Sequence, residues 1–243
     1  MNAPTLVAVA AIVGISAVVQ LAAGFGFSLT AVPLLALVID TKTASMLAAV
    51  LSLVNSAVQA YEGRHVAVRH LVKDLCIPAF VGMPFGLWLF HSGSDRALRL
   101  FLGVSTIVLV GLLMRGVDLR GAPRSVTWMA GGAAGVLSTS INTNGPPLVF
   151  LLQARGLPPD AFRATITATF TVTGIVGLAG RLAVGGMTTT VWHALAVAPI
   201  GLAIGTLAGL WVRKRLDAER FRRMVEVLLI AAALSSILAA LRA

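Results

Sequence analysis

Apolar residues fall in ten blocks along this chain, near 5–23, 27–39, 43–61, 71–91, 97–114, 125–141, 146–154, 161–180, 191–212 and 224–241. A helix needs about 20 such residues to cross roughly 30 Å of hydrocarbon. Eight blocks approach that length. The blocks at 27–39 and 146–154 are short, and each follows a break. The first break is Ala22-Ala23-Gly24-Phe25-Gly26-Phe27, and the second runs from Ser138 to Pro147 through Asn142, Thr143, Asn144 and Gly145. The pattern predicts an all-α integral membrane protein with eight long spans and two short broken-helix segments.

The breaks occupy matching places in two halves. Leu29-Thr30-Ala31-Val32-Pro33-Leu34-Leu35 parallels Thr143-Asn144-Gly145-Pro146-Pro147-Leu148-Val149. Gly82-x3-Gly86-Leu87-Trp88 parallels Gly205-x3-Gly209-Leu210-Trp211, each ahead of a charged turn and one more apolar block. This predicts two repeats of about five segments, residues 1–115 and 124–243, joined by a cytoplasmic linker at 116–123 into one transport domain.

Charge sets their relative orientation. With all ten segments crossing and loop 62–70 in the cytoplasm, only Lys42, Arg96, Arg99, Arg181 and Arg242 fall outside. The other 14 of the 19 Lys and Arg lie at or near cytoplasmic loops, as positive charge requires. Corresponding loops then lie on opposite faces, so the second repeat is inverted relative to the first. Inverted repeats around broken helices are the layout of secondary transporters. If the short segments did not cross, the repeats would be parallel and the charge contrast would have no explanation.

Composition agrees and narrows the class. Hydrophobic residues make up 58% and charged residues 12% of the 243 positions, and mean hydropathy is +0.93. A soluble domain has about 45–50% apolar and 25% charged residues, so soluble and disordered classes are excluded. The net charge of +10 fits basic loops against anionic lipid better than nucleic acid. The single cysteine, Cys76, excludes an internal disulfide. No histidine cluster has ligand spacing, so no metal, cofactor or catalytic residue is assigned. An intramembrane protease would need a deep histidine facing Ser138 or Ser140, and none is present.

Broken helices present free N–H groups and a positive dipole end inside the membrane, where they bind anions. The candidate substrate-binding residues are therefore those of the two breaks: Gly24, Phe25, Gly26, Phe27 and Ser28, and Asn142, Thr143, Asn144, Gly145 and Pro146. Gln20 and Asn55 join them as polar groups within spans. Interhelical hydrogen bonding is the competing reading for these polar groups and for the threonines at 165, 167, 169, 171 and 173. For Arg163 and Arg181, at opposite ends of one span, snorkelling to the interface is the simpler expectation. The glycine ladders read as close helix packing.

The chain resembles the TauE/SafE family of sulfite and organosulfonate exporters. The resemblance covers nearly the whole chain. It rests on the two-repeat layout, Ala23-Gly24-Phe25-Gly26-Phe27-Ser28 followed by Pro33-Leu34-Leu35, and Asn144-Gly145-Pro146-Pro147-Leu148 at the matching place in the second half. The Gly-x3-Gly-Leu-Trp segments also fit. The family has Gly-rich runs at both breaks, whereas here the second break uses asparagines. The resemblance implies export of a small anion such as sulfite or a sulfonate across a bacterial-type inner membrane. The anion and the coupling ion stay open at this point, as does self-association into a homo-oligomer. So do two competing classes, a passive anion channel and a non-transporting assembly or lipid-binding protein.

Overall fold

The computed structural model describes residues 2–92, 94 and 118–215, together with 217, 219, 220, 223, 227 and 230. The block predicted at 97–114 lies outside the described residues, as does that at 224–241 apart from residues 227 and 230, and so do Arg96, Arg99, Arg115, Arg222 and Arg242.

Eight helices are described: α1 (Ala3–Ala23), α2 (Phe27–Leu35), α3 (Thr41–Glu62), α4 (Arg69–Ser92), α5 (Arg124–Ile141), α6 (Gly145–Ala154), α7 (Pro159–Ala183) and α8 (Thr189–Arg213). Local chemistry sets several ends. The Asp40 carboxylate accepts the Thr43 N–H at 2.9 Å and so caps α3. Pro158 and Pro159 open α7, where no donor is needed.

Five helices, α1, α3, α4, α7 and α8, are long and apolar enough to cross a membrane. The eight long spans expected from sequence are thus matched in part. Two fall wholly or almost wholly outside the described residues. The remaining one, α5, has 18 residues, but its Gly, Ser and Thr content leaves it less apolar than the five. Those small residues serve packing instead.

Three pairs of long helices make close contacts across the bundle. Helix α1 lies against α8, and α4 against α5; α3 lies against α7. The first two contacts are glycine seams. Gly201 sits over the Ala10 backbone, Gly205 over Gly14, and Gly209 over Val18 and Leu21. In the other seam, Gly82 sits over Gly132, Gly86 over Val136, Gly131 over Leu75 and Gly135 over Ala79. A methyl group at any of these seam glycines would meet backbone or side chain, so close approach is what the glycine spacing provides. The large side chains of the same helices, among them Ile200, Ile204, Leu207 and Trp211 on α8, point outward. The register of the seams makes α1 parallel to α8 and α4 parallel to α5. Helix α3 runs antiparallel to α7: Leu53 meets Gly174, whereas Gly63 meets Ala164.

The basic loops gather at one end. Arg213 approaches Glu62 at 4.0 Å, Arg124 pairs with Asp74, and the Leu119 N–H bonds the Ala154 carbonyl. At the other end Lys42 reaches the His91 carbonyl, and Gly186 adjoins Met46. Of the cations between residues 2 and 215, Arg64, Arg69, Lys73, Arg120, Arg124, Arg155, Arg163, Arg213, Lys214 and Arg215 belong to the first end, and Lys42 and Arg181 to the second.

Candidate functional site

Two chain reversals meet in the middle of the bundle. In the first, α1 ends on Gly24 at φ +83°, whose N–H bonds the Gln20 carbonyl, and Gly26 at φ +96° starts α2. Both values favour glycine. In the second, α5 ends on Asn142 at φ +56° and Asn144 starts α6. Asparagine tolerates the left-handed region better than other side chains. Asn142 therefore ends its helix in the geometry that Gly24 gives the first, and adds an amide.

The short helices start without side-chain caps. Their first-turn N–H groups have no partner within the helix. In α6, prolines at 146 and 147 remove two of these donors, leaving those of Asn144 and Gly145. The two starts are close: a Cβ built on Gly145 would lie 3.5 Å from Leu29 and 3.6 Å from Phe25.

A cavity of about 30 Å³ lies between them, closed by the middles of α3 and α7. That holds roughly two waters. Its polar walls come from Gln20, Ser28, Ser52, Ser56, Ser138, Asn142, Thr143 and Asn144, with Phe27 and Phe170 as apolar walls. The Asn142 amide donates to Ser28 Oγ at 2.8 Å and Ser52 Oγ at 3.1 Å, tying the second break to α2 and α3. Asn144 donates to Thr173 at 3.4 Å. Gln20 donates to Ser56 Oγ at 2.7 Å and accepts from Asn55 at 3.2 Å.

Eight of the twelve residues singled out from sequence line this cavity: Gln20, Gly26, Phe27, Ser28, Asn142, Thr143, Asn144 and Gly145. Four do not. Gly24 packs on the α7 backbone at Arg163. Phe25 is fully buried against Phe162, edge to face at 6.2 Å, so it braces the break from behind rather than shaping the pocket. Asn55 stands one hydrogen bond back, holding Gln20. Pro146 is buried in the first turn of α6. Sequence reasoning did not select Ser52, Ser56, Leu29, Ala49, Leu53, Ser138, Phe170 or Gly174, which also line the space. The four-residue spacing of Ser52 and Ser56 beside Asn55 was the available signal, since it puts both serines on one helix face.

The α7 threonines do not chiefly bond between helices. The hydroxyls of Thr167, Thr169, Thr171 and Thr173 donate to carbonyls four residues back, the local arrangement expected in an apolar setting. Thr165 does bond across, accepting from the Val68 N–H at 3.0 Å.

The two α7 arginines do not snorkel. Arg163 is 6% and Arg181 1% exposed. Arg163 Nε donates to the Ala22 carbonyl at 2.9 Å, and Arg181 Nε to the Thr139 carbonyl at 3.2 Å, with Nη2 on Ser138 O.

At the basic end a second cavity, about 220 Å³, is bounded by Gln59, Glu62, Asp160, Arg163, Thr167 and Arg213. Gln59 donates towards Asn55, and Asn55 to Gln20, so amide side chains link this vestibule to the central cavity.

The sequence profile described as sulfite exporter TauE/SafE matches residues 7–236 of the chain. No match was found among curated proteins or among solved structures.

Proposed function

The chain belongs to the sulfite exporter TauE/SafE family, a multi-pass membrane transporter family, and from that premise we propose that it exports sulfite or a small organosulfonate through the central cavity. The observation that carries this reading is the meeting of two uncapped helix starts at one buried, polar space. Partial positive charge from both starts converges there. The amide groups of Asn142, Asn144 and Gln20 and the hydroxyls of Ser28, Ser52 and Ser56 supply further donors. An oxyanion with three oxygens needs several donors, which these walls supply.

In this reading residues 1–115 and 124–243 are inverted repeats about the site, with 116–123 as their linker. The antiparallel run of α3 and α7 supports inversion, since corresponding helices of parallel repeats would run the same way. The paired seams α1–α8 and α4–α5 support the twofold relation. The basic end faces the cytoplasm of a bacterial-type inner membrane, and its vestibule delivers the anion to the breaks. Rocking of one repeat against the other opens the site to each side in turn.

The test is thermal unfolding of the purified protein in detergent against sulfite, sulfate, sulfoacetate, taurine, isethionate and matched carboxylates. A ligand of the folded state raises stability with its concentration. A rise selective for sulfite or a sulfonate, together with saturable flux in proteoliposomes, is the expected result. No rise with any anion would refute the reading, and flux linear in substrate would indicate a channel.

A further inference from the structure

A helix break is by itself a poor anion site. The positive start of the second half-helix lies beside the negative end of the first. Each end carries roughly half an elementary charge, so at close range the two fields oppose each other. Here both negative ends are occupied. The carbonyl of Ala22, in the last turn of α1, accepts from Arg163 Nε at 2.9 Å. The carbonyls of Thr139 and Ser138, in the last turn of α5, accept from Arg181 Nε and Nη2.

Both arginines come from α7, 18 residues apart (181 − 163). At 3.6 residues per turn that is five whole turns, so they share one helix face. One helix thereby reaches both breaks. Burying a guanidinium within a membrane span is expensive, and here the acceptors are helix-end carbonyls. Among the described residues no carboxylate stands within ion-pair distance of Arg181; its other neighbour is the Phe90 ring, 5.5 Å from the guanidinium carbon. Arg163 also meets Asp160 at 3.2 Å, but that carboxylate is 75% exposed and screened by solvent. Ser138, whose carbonyl holds Arg181, also lines the central cavity. The positive charge is thus one residue removed from the site.

We propose that Arg163 and Arg181 are positioning residues that cancel the negative ends of α1 and α5, leaving the positive starts of α2 and α6 unopposed and making the central site anion-selective. The proposal rests on the central cavity being the anion site. It differs from a purely mechanical cap in one respect. A fixed charge acting through space favours a dianion about twice as strongly, in free energy, as a monoanion.

The experiment measures Kd by titration calorimetry for methanesulfonate (one negative charge) and sulfoacetate (two) on the parent, Arg181→Gln and Arg181→Lys, with the same pair of changes at Arg163. Arg181→Gln is expected to raise the methanesulfonate Kd about tenfold, the size expected for an uncancelled buried helix end, and the sulfoacetate Kd about a hundredfold. Arg181→Lys, which keeps the charge, is expected to retain the parent ratio of the two constants within about threefold. Equal factors for both ligands in Arg181→Gln would overturn the proposal and leave a mechanical cap. Should Arg181→Gln not fold, Arg163→Gln decides by the same ratio: a larger factor for sulfoacetate than for methanesulfonate supports the charge, and equal factors overturn it. A parent that binds neither anion overturns the anion-site reading itself, and this proposal with it. A parent that binds both, with the variants failing the ratio test, overturns only the role of the arginines.

Discussion

Replacing Gly24 by alanine isolates the junction on which the first break depends. Two separate costs arise there. Gly24 has φ +83°, and a side chain in that region costs about 1–2 kcal/mol. The new Cβ would also stand 2.9 Å from Arg163 Cα and 3.0 Å from Cγ. The first of these is backbone, so α7 or the end of α1 must move, and overpacking of that kind costs about 1–3 kcal/mol. Together they predict a loss on the order of 2–5 kcal/mol. Gly185 provides the control. Its φ is +78° and nothing lies within 4 Å of its virtual Cβ, so Gly185→Ala bears only the backbone cost. The assay is thermal unfolding of both variants in the same detergent, followed by sulfite flux in proteoliposomes. Gly24→Ala is expected to melt clearly below Gly185→Ala. It is also expected to lose more flux than its stability explains, because the shift separates Arg163 from the Ala22 carbonyl. Equal melting temperatures for the two variants would refute the claim that the first break is wedged against α7.

Other consequences are as direct. Asn142→Asp exchanges a donor to Ser28 and Ser52 for a carboxylate in the cavity, so sulfite should no longer raise the melting temperature, whereas Asn142→Gly should retain the break and a weakened response. Gln20→Leu strands the Asn55 amide and the Ser56 hydroxyl, with a destabilisation of about 1–3 kcal/mol for the buried groups left unpaired, read by thermal unfolding. Gly205→Val pushes α8 off the Gly14 backbone, and a sharp loss of monodisperse protein on size-exclusion chromatography is expected. In a Cys76→Ala background, cysteines at His65 and Gly185 should react with an impermeant maleimide from opposite sides of the membrane; labelling from the same side would exclude inversion.

Much of the architecture was legible in the order of residues. Helix boundaries lie within a few residues of the apolar blocks, because a segment in hydrocarbon must satisfy its own backbone. The two reversals were visible because only Gly, Asn and Pro tolerate what happens at them. The glycine ladders announced their seams, since a four-residue repeat of missing side chains leaves a groove on one face. The clustering of the basic loops was legible in charge, and most of the cations between residues 2 and 215 gather at one end of the bundle.

What the order of residues could not supply is which polar faces turn towards each other. Asn142 meets Ser28 and Ser52 across 114 and 90 positions of sequence, and that meeting depends on how three helices are rotated about their axes. Phe25 and Phe27 are indistinguishable by type, yet the left-handed turn at Gly26 sends one to the cavity wall and the other into the core against Phe162. The arginines show the limit most sharply. A long cation near the end of a span normally reaches for water, and nothing local says otherwise. Only the tertiary fold brings the carbonyl ends of α1 and α5 to opposite ends of α7, where capping a helix end offsets the loss of solvent. Periodicity, composition and charge thus determined the elements, the breaks and the clustering of the basic loops, because each depends on a residue and its immediate solvent. The cavity and its charge were decided by tertiary packing, because each arises from groups that only the folded bundle brings within reach.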